Sequence, residues 1–142
     1  MTHDDDRAHS VSINLRNDAE RIRQVQDDLL AQAEQAGYGK SAAFALRLAL
    51  EEAIRNAFVH GLKNATDKAI DVSWTITPDR VTIVVNDHGP GFNPNEVADP
   101  TAPENLERPC GRGLLLMRAY MSSVEYNTEG NEVTMRYEPS ED

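Results

Sequence analysis

Apolar and polar positions along the chain fall into blocks of two periods. Val11, Ile13 and Leu15 alternate with Ser12 and Asn14, which predicts a short strand. Asn17 or Asp18 then offers an N-cap, and Ile22, Val25, Leu29 and Ala33 recur at spacings of 3, 4 and 4 along one face of an amphipathic helix that Gly37 and Gly39 end. Ser41 is the expected N-cap of a second helix. From Ala42 toward Ala57 that helix is apolar almost all round until Glu51, which predicts a central, buried position, with Gly61 near its C′ position.

Ile70, Val72, Trp74 and Ile76 alternate. Pro78-Asp79 supplies a turn, and Val81, Ile83 and Val85 alternate again, so residues 70–86 read as a β-hairpin. The segment 93–110, with four prolines and few apolar residues, predicts a long functional loop. A third helix is expected over Leu114–Met121, and a last hairpin from Val124–Asn127 and Val133–Tyr137 around Glu129-Gly130-Asn131. The order β-α-α-β-β-loop-α-β-β contains few long parallel crossovers. It predicts an α+β domain over 10–137: a mixed, mostly antiparallel sheet with helices on one face, flanked by an acidic tail 1–9 and a tail 138–142.

Composition narrows the classes of function. Apolar residues make up 39% of the 142, enough for one core without a disulfide or metal staple. The formal charge of −10 comes from 24 acidic against 14 basic residues, and no basic stripe is present. That argues against nucleic acid and against an anionic membrane surface. The single Cys110 excludes an internal disulfide and a cysteine-based zinc site. No apolar run reaches the length of a transmembrane helix, and the acidic start lacks a signal-peptide pattern, so a cytoplasmic location is expected.

Three short motifs carry chemistry. Glu52, Asn56 and His60 share one stripe of the buried helix, at i, i+4 and i+8, with about 80° of drift at ~100° per residue. Burying them together is costly unless they are paired or coordinated. Taken alone, Glu52 and Asn56 fit the polar edge of an amphipathic helix, and His60 fits a dipole interaction at a helix C-terminus. Glu51 is placed to pair with Arg55 at i+4. Asp87-x-Gly89-x-Gly91 follows a strand, where a carboxylate can accept from an exocyclic amine and glycines admit a flat ligand. Gly111-x-Gly113 opens a helix whose free N–H groups suit phosphate, with Arg112 adding positive charge.

In this order the three motifs resemble the GHKL (Bergerat-fold) ATP-binding superfamily, and within it the bacterial anti-sigma factor serine/threonine kinases. The resemblance rests on Glu51-Glu-Ala-Ile-Arg-Asn-Ala-Phe-Val-His-Gly61, Asp87-His-Gly-Pro-Gly-Phe92 and Gly111-Arg-Gly-Leu-Leu-Leu-Met117. It is specific over about 40–137 and looser over 10–39. It implies a Bergerat two-layer sandwich, ATP and Mg²⁺ as cofactors, and the following roles. Asn56 coordinates Mg²⁺ bridging the phosphates, and Glu52 is the general base for an attacking hydroxyl. Asp87 accepts from the adenine amino group, while Gly89 and Gly91 let the loop close under the base. Residues 93–110 form the lid. Arg112, Gly113 and Leu114 hold phosphate at the helix start, and His60 assists near it.

The implied activity is phosphorylation of a serine or threonine of a small anti-anti-sigma (STAS) partner, together with sequestration of a sigma factor, by a homodimer. Helix 18–36 and the exposed hairpins are the candidate interfaces. An ATP-binding sequestration module without kinase activity, and a stand-alone histidine-kinase-like ATPase domain, are the alternatives. Two positions depart from the family's pattern. Gly130-Asn131-Glu132-Val133 stands where the family often has Gly-Thr-Thr, whose threonine supports the adenine site. Leu115 stands where many members have Gly, which implies a stiffer lid hinge.

Overall fold

The computed structural model describes residues 9–62, 68–89 and 109–139, with the backbone alone for His9 and for residues 109–114. The expected N-terminal tail up to residue 8, Gly91, and the expected lid as far as residue 108 lie outside the described residues.

The elements follow the predicted order: strand β1 (His9–Arg16), helix α1 (Ala19–Gln35), helix α2 (Lys40–Asn56), a π-helical turn (Ala57–Gly61), strands β2 (Ala69–Thr77) and β3 (Arg80–Asn86), helix α3 (Pro109–Tyr120), and strands β4 (Ser123–Tyr126) and β5 (Glu132–Tyr137). The strands form one five-stranded sheet in the order β1-β2-β3-β5-β4. All four pairings are antiparallel, so the allowance for a mixed sheet is not used.

The alternation read from the sequence sorts the two faces of the sheet. Ile70, Val72, Trp74 and Ile76 of β2, Val81, Ile83 and Val85 of β3, and Val133 and Met135 of β5 are buried in one core with Val25 and Leu29 of α1, Leu46 and Leu50 of α2, and Met117 of α3. Each fully buried aliphatic side chain contributes about 1.5–3 kcal/mol. The opposite face carries Asn14, Asp71, Thr82, Asn86 and Arg136. Helices on one face and a polar second face make a two-layer α+β sandwich.

Caps and turns explain the element boundaries. Asp18, extended at φ −129° and ψ 117°, accepts from the Glu20 amide at 3.2 Å and starts α1. Gly37, at φ 101°, ends it in a Schellman motif. The Tyr38 amide donates to the Ala33 carbonyl and the Gly37 amide to the Glu34 carbonyl, both at 3.0 Å. Helix α2 starts earlier than predicted. The extended Gly39 takes the N-cap position without a side-chain hydrogen bond, so Ser41 lies inside the helix.

Trp74 is more than a packing residue. Its indole N–H donates to Gln32 Oε1 at 2.7 Å, which ties β2 to α1. Glu138, expected in the C-terminal tail, pairs with Arg80 at 2.7 Å beside the end of β5.

Candidate functional site

Helix α2 does not run out as an α-helix. After Asn56 it widens into the π-turn Ala57–Gly61, closed by the Leu62 amide donating to the Ala57 carbonyl at 2.8 Å. Single π-turns are frequent at functional sites. Here the turn brings Gly61 against the end of β3. A Cβ on Gly61 would fall inside the Asp87 carboxylate, and a Cβ on Gly89 would collide with the Gly61 carbonyl oxygen. Glycine at both positions is therefore a condition for the carboxylate to sit where it does.

Three polar side chains of the site are buried. Glu52, Asn56 and Asp87 are the buried polar residues of the described chain, at 6, 6 and 7% exposure. Asn56 Nδ2 and Oδ1 are both buried with no hydrogen-bond partner among the described residues. A buried amide without partners costs about 1–3 kcal/mol. Asn56, Asp87, Gly61, Ala53, Ala57, Val85, Tyr126, Asn131 and Val133 line one cavity of about 20 Å³. A second, wider cleft of about 610 Å³ lies against the same loop, between Gly61, Leu62, Lys68, Ala69, Asp87, His88 and Gly89.

Burial sets the electrostatics. It raises the Glu52 pKa, with Arg55 lowering it and Glu51 raising it further. Arg55 Nη1 lies 3.8 Å from Glu52 Oε2. The expected Glu51–Arg55 pair is thus replaced by an i,i+3 contact, because the buried carboxylate has more need of a counter-charge than the exposed one. Asp87 is likewise raised by burial, opposed by the Gly89 amide, which donates to Asp87 Oδ1 at 2.7 Å, and by His88. His60 stands exposed in the π-turn, its pKa lowered by desolvation and by Arg55.

The loop after β3 is braced from two sides. His88 adopts a left-handed conformation (φ 59°). Its amide donates to Asn86 Oδ1 at 2.7 Å, and its ring Nε2 contacts Asp71 Oδ2 on the polar face of the sheet. From the other side, the Asp87 amide donates to the Asn131 carbonyl at 2.9 Å, and Asn131 Nδ2 donates to the Gly89 carbonyl at 3.0 Å.

The structure thus brings Asn56, Asp87 and Gly89 together, with Glu52 one turn before Asn56 on α2. Arg112, Gly113 and Leu114 fall in the first half of α3, which begins at Pro109, five residues ahead of the predicted start; their side chains are outside the described residues. Asn127 and Tyr126 escaped the sequence reading, as did the part played by Gly61. Only Gly61 had a signal, its place at the end of the first motif.

Residues 15–137 match the histidine kinase-like ATPase domain family. The chain belongs to this family. The anti-sigma F factor of Clostridium perfringens strain SM101 is 34% identical over 92 residues, which cover 63% of this chain and 65% of the relative. The matched segment thus spans just under two thirds of that family member. The serine-protein kinase RsbW of Listeria monocytogenes serotype 4a is 33% identical over 110 residues, covering 72% of this chain and 70% of the relative. Both anti-sigma and serine-kinase names thus occur among the family members it resembles. Among the described residues, no helix is long and apolar enough to cross a membrane.

Proposed function

We propose that this protein binds Mg·ATP and phosphorylates a serine or threonine of a small anti-anti-sigma (STAS) protein, and that it sequesters a sigma factor. The observation that carries this reading is the buried pair Asn56 and Asp87 lining one cavity, the amide without hydrogen-bond partners and the carboxylate seated against two glycines. An amide left orphaned at a cost finds its use in a ligand. A carboxylate held against backbone, with no room for side chains at Gly61 and Gly89, is shaped for the flat edge of a base. The names of the two relatives support the class of activity and of partner.

The residues fit the group they would hold. The Oδ1 of Asn56 is an uncharged oxygen ligand of the kind a hard cation such as Mg²⁺ accepts, and the metal's contribution is to neutralise charge on the phosphates. Ionised Asp87 is an acceptor only, so it selects a base edge that donates, as the adenine amino group does. Arg112, Gly113 and Leu114 lie within the first half of α3 rather than at its free N-terminus, so their part in holding phosphate rests on the Arg112 cation, with Gly91 letting the loop close under the base, the segment before α3 serving as the lid and His60 assisting near the phosphates. Glu52 takes the proton from the partner hydroxyl. The hydroxyl oxygen bonds to the γ-phosphorus, the bond from that phosphorus to the β–γ bridging oxygen breaks, and ADP leaves. Burial raises the pKa of Glu52, which makes its carboxylate a stronger base than an exposed one. The working unit is a cytoplasmic homodimer.

The test is transfer of labelled γ-phosphate to a co-expressed STAS protein. Wild type labels the partner, and Glu52→Gln binds ATP but does not. Labelling that persists in Glu52→Gln removes the proposed base. Tight ATP binding with no transfer to any partner supports the sequestration module instead.

A further inference from the structure

We infer that Asn131, held by Asn127, is a positioning residue for the base-recognising carboxylate, and that this pair of asparagines sets the preference for a 6-amino purine. The inference rests on the nucleotide reading above and deepens it.

The connection is continuous. In the turn between β4 and β5, Asn127 Oδ1 accepts from three backbone amides, Gly130 at 2.8 Å, Asn131 at 3.0 Å and Glu132 at 3.2 Å. Asn127 Nδ2 donates to Asn131 Oδ1 at 2.8 Å. Asn131 Nδ2 donates to the Gly89 carbonyl at 3.0 Å, and the Gly89 amide donates to Asp87 Oδ1 at 2.7 Å. The Asn131 carbonyl accepts from the Asp87 amide at 2.9 Å, which closes the ring.

Each amide has only one orientation that fits. Three N–H groups face Asn127 at one end, and a carbonyl that can only accept faces Asn131 at the other. An oxygen turned toward Gly89 would repel its carbonyl, and a nitrogen turned toward the three N–H groups would lose all three bonds. Both polar ends of the Asn131 side chain are therefore engaged with protein. Asn131 lines the cavity beside Asp87, yet its amide serves the loop. Its effect on a base passes through the angle at which it holds Gly89, and so Asp87.

A role through Asp87 differs from simple bracing of the hairpin. Bracing changes stability and affects all nucleotides alike. Positioning changes the ratio of affinities for a base that donates to Asp87 and one that does not. ITP, with a 6-oxo group in place of the amino group, is the probe.

Calorimetric titration of the full chain with ATP and with ITP, in Mg²⁺, tests this. Wild type prefers ATP. Asn131→Ala and the isosteric Asn131→Asp each weaken ATP by about tenfold, the scale of one lost hydrogen bond. Both compress the ATP:ITP ratio toward that of Asp87→Asn. Asn127→Asp keeps the three-way acceptor but sets a carboxylate oxygen against Asn131 Oδ1 in place of the donor, so it releases Asn131 and lowers the ratio. A ratio unchanged in all three variants overturns the inference and leaves a structural brace. If Asn131→Ala does not fold, the near-isosteric Asn131→Asp and Asn127→Asp carry the same comparison: a compressed ratio supports the inference, and an unchanged ratio overturns it. Wild type that binds neither nucleotide overturns the nucleotide reading, and this inference with it.

Discussion

Gly61 and Asp87 share one volume: the space a Gly61 side chain would need is filled by the Asp87 carboxylate. The contact joins the end of the central helix to the end of a central strand. Gly61→Ala must displace either the carboxylate or the π-turn. The expected cost is about 1–3 kcal/mol in chemical denaturation, typical of overpacking, together with loss of stabilisation by Mg·ATP. Gly39→Ala is the control, since nothing lies within 4 Å of a Cβ there. Equal effects at the two positions would show that the Gly61 contact is not tight.

Asn56 should be expensive to the empty protein. With both amide atoms buried and unpartnered, Asn56→Leu is expected to leave unliganded stability within about 1 kcal/mol of wild type or to raise it. The same substitution should remove any stabilisation by Mg·ATP. A loss of several kcal/mol without ligand would mean that the amide is bonded in the empty protein.

Asp87 gives a pH signature. Its folded pKa is raised by burial, so the folded state holds the proton more tightly than the unfolded chain. Unliganded stability therefore falls, through this group, as pH rises from the ordinary aspartate range through the raised folded value. Asp87→Asn removes that penalty, so its stability gain over wild type should be larger at pH 7 than at pH 4 in urea unfolding. Asp71 has the opposite sign. The amide of Asn14 and the ring of His88 lower its pKa, so it stabilises above the ordinary range and loses that contribution as pH falls through the lowered value. At 47% side-chain exposure, solvent screening keeps this effect small. A gain for Asp87→Asn that is larger at pH 4 would contradict the burial argument.

Gln32 holds the Trp74 indole across the sheet–helix interface at 2.7 Å. Gln32→Ala leaves a buried N–H without its partner, so urea unfolding should show a loss of about 1–3 kcal/mol. A change below a few tenths would mean that the indole finds another acceptor.

Much of this was readable before the structure, for a physical reason. Alternation in 70–86 and the 3.6 period from Ile22 to Ala33 depend on local residue spacing, and the sheet and helix faces follow them directly. Asn56 is legible because burying polar groups on an apolar helix demands an explanation, and Asp87 because a carboxylate spaced with two glycines follows a strand. What escaped depends on contacts between distant segments. The π-turn arises where Gly61 meets Asp87, 26 positions away in the chain. The switch of Arg55 from Glu51 to Glu52 depends on which carboxylate the rest of the fold buries. Asn127 carries no signal in the sequence, because a turn asparagine looks the same whether or not it supports a neighbouring loop.

The central claim is that Asn56 and Asp87 form a nucleotide site, and a thermal melt with and without Mg·ATP tests it most directly. At ~100 times its Kd the ligand should stabilise the wild type by about 2.7 kcal/mol, a shift of several degrees. Wild type should show that shift, and both Asn56→Ala and Asp87→Asn should lose it. No shift in wild type, or an undiminished shift in both variants, would contradict the claim.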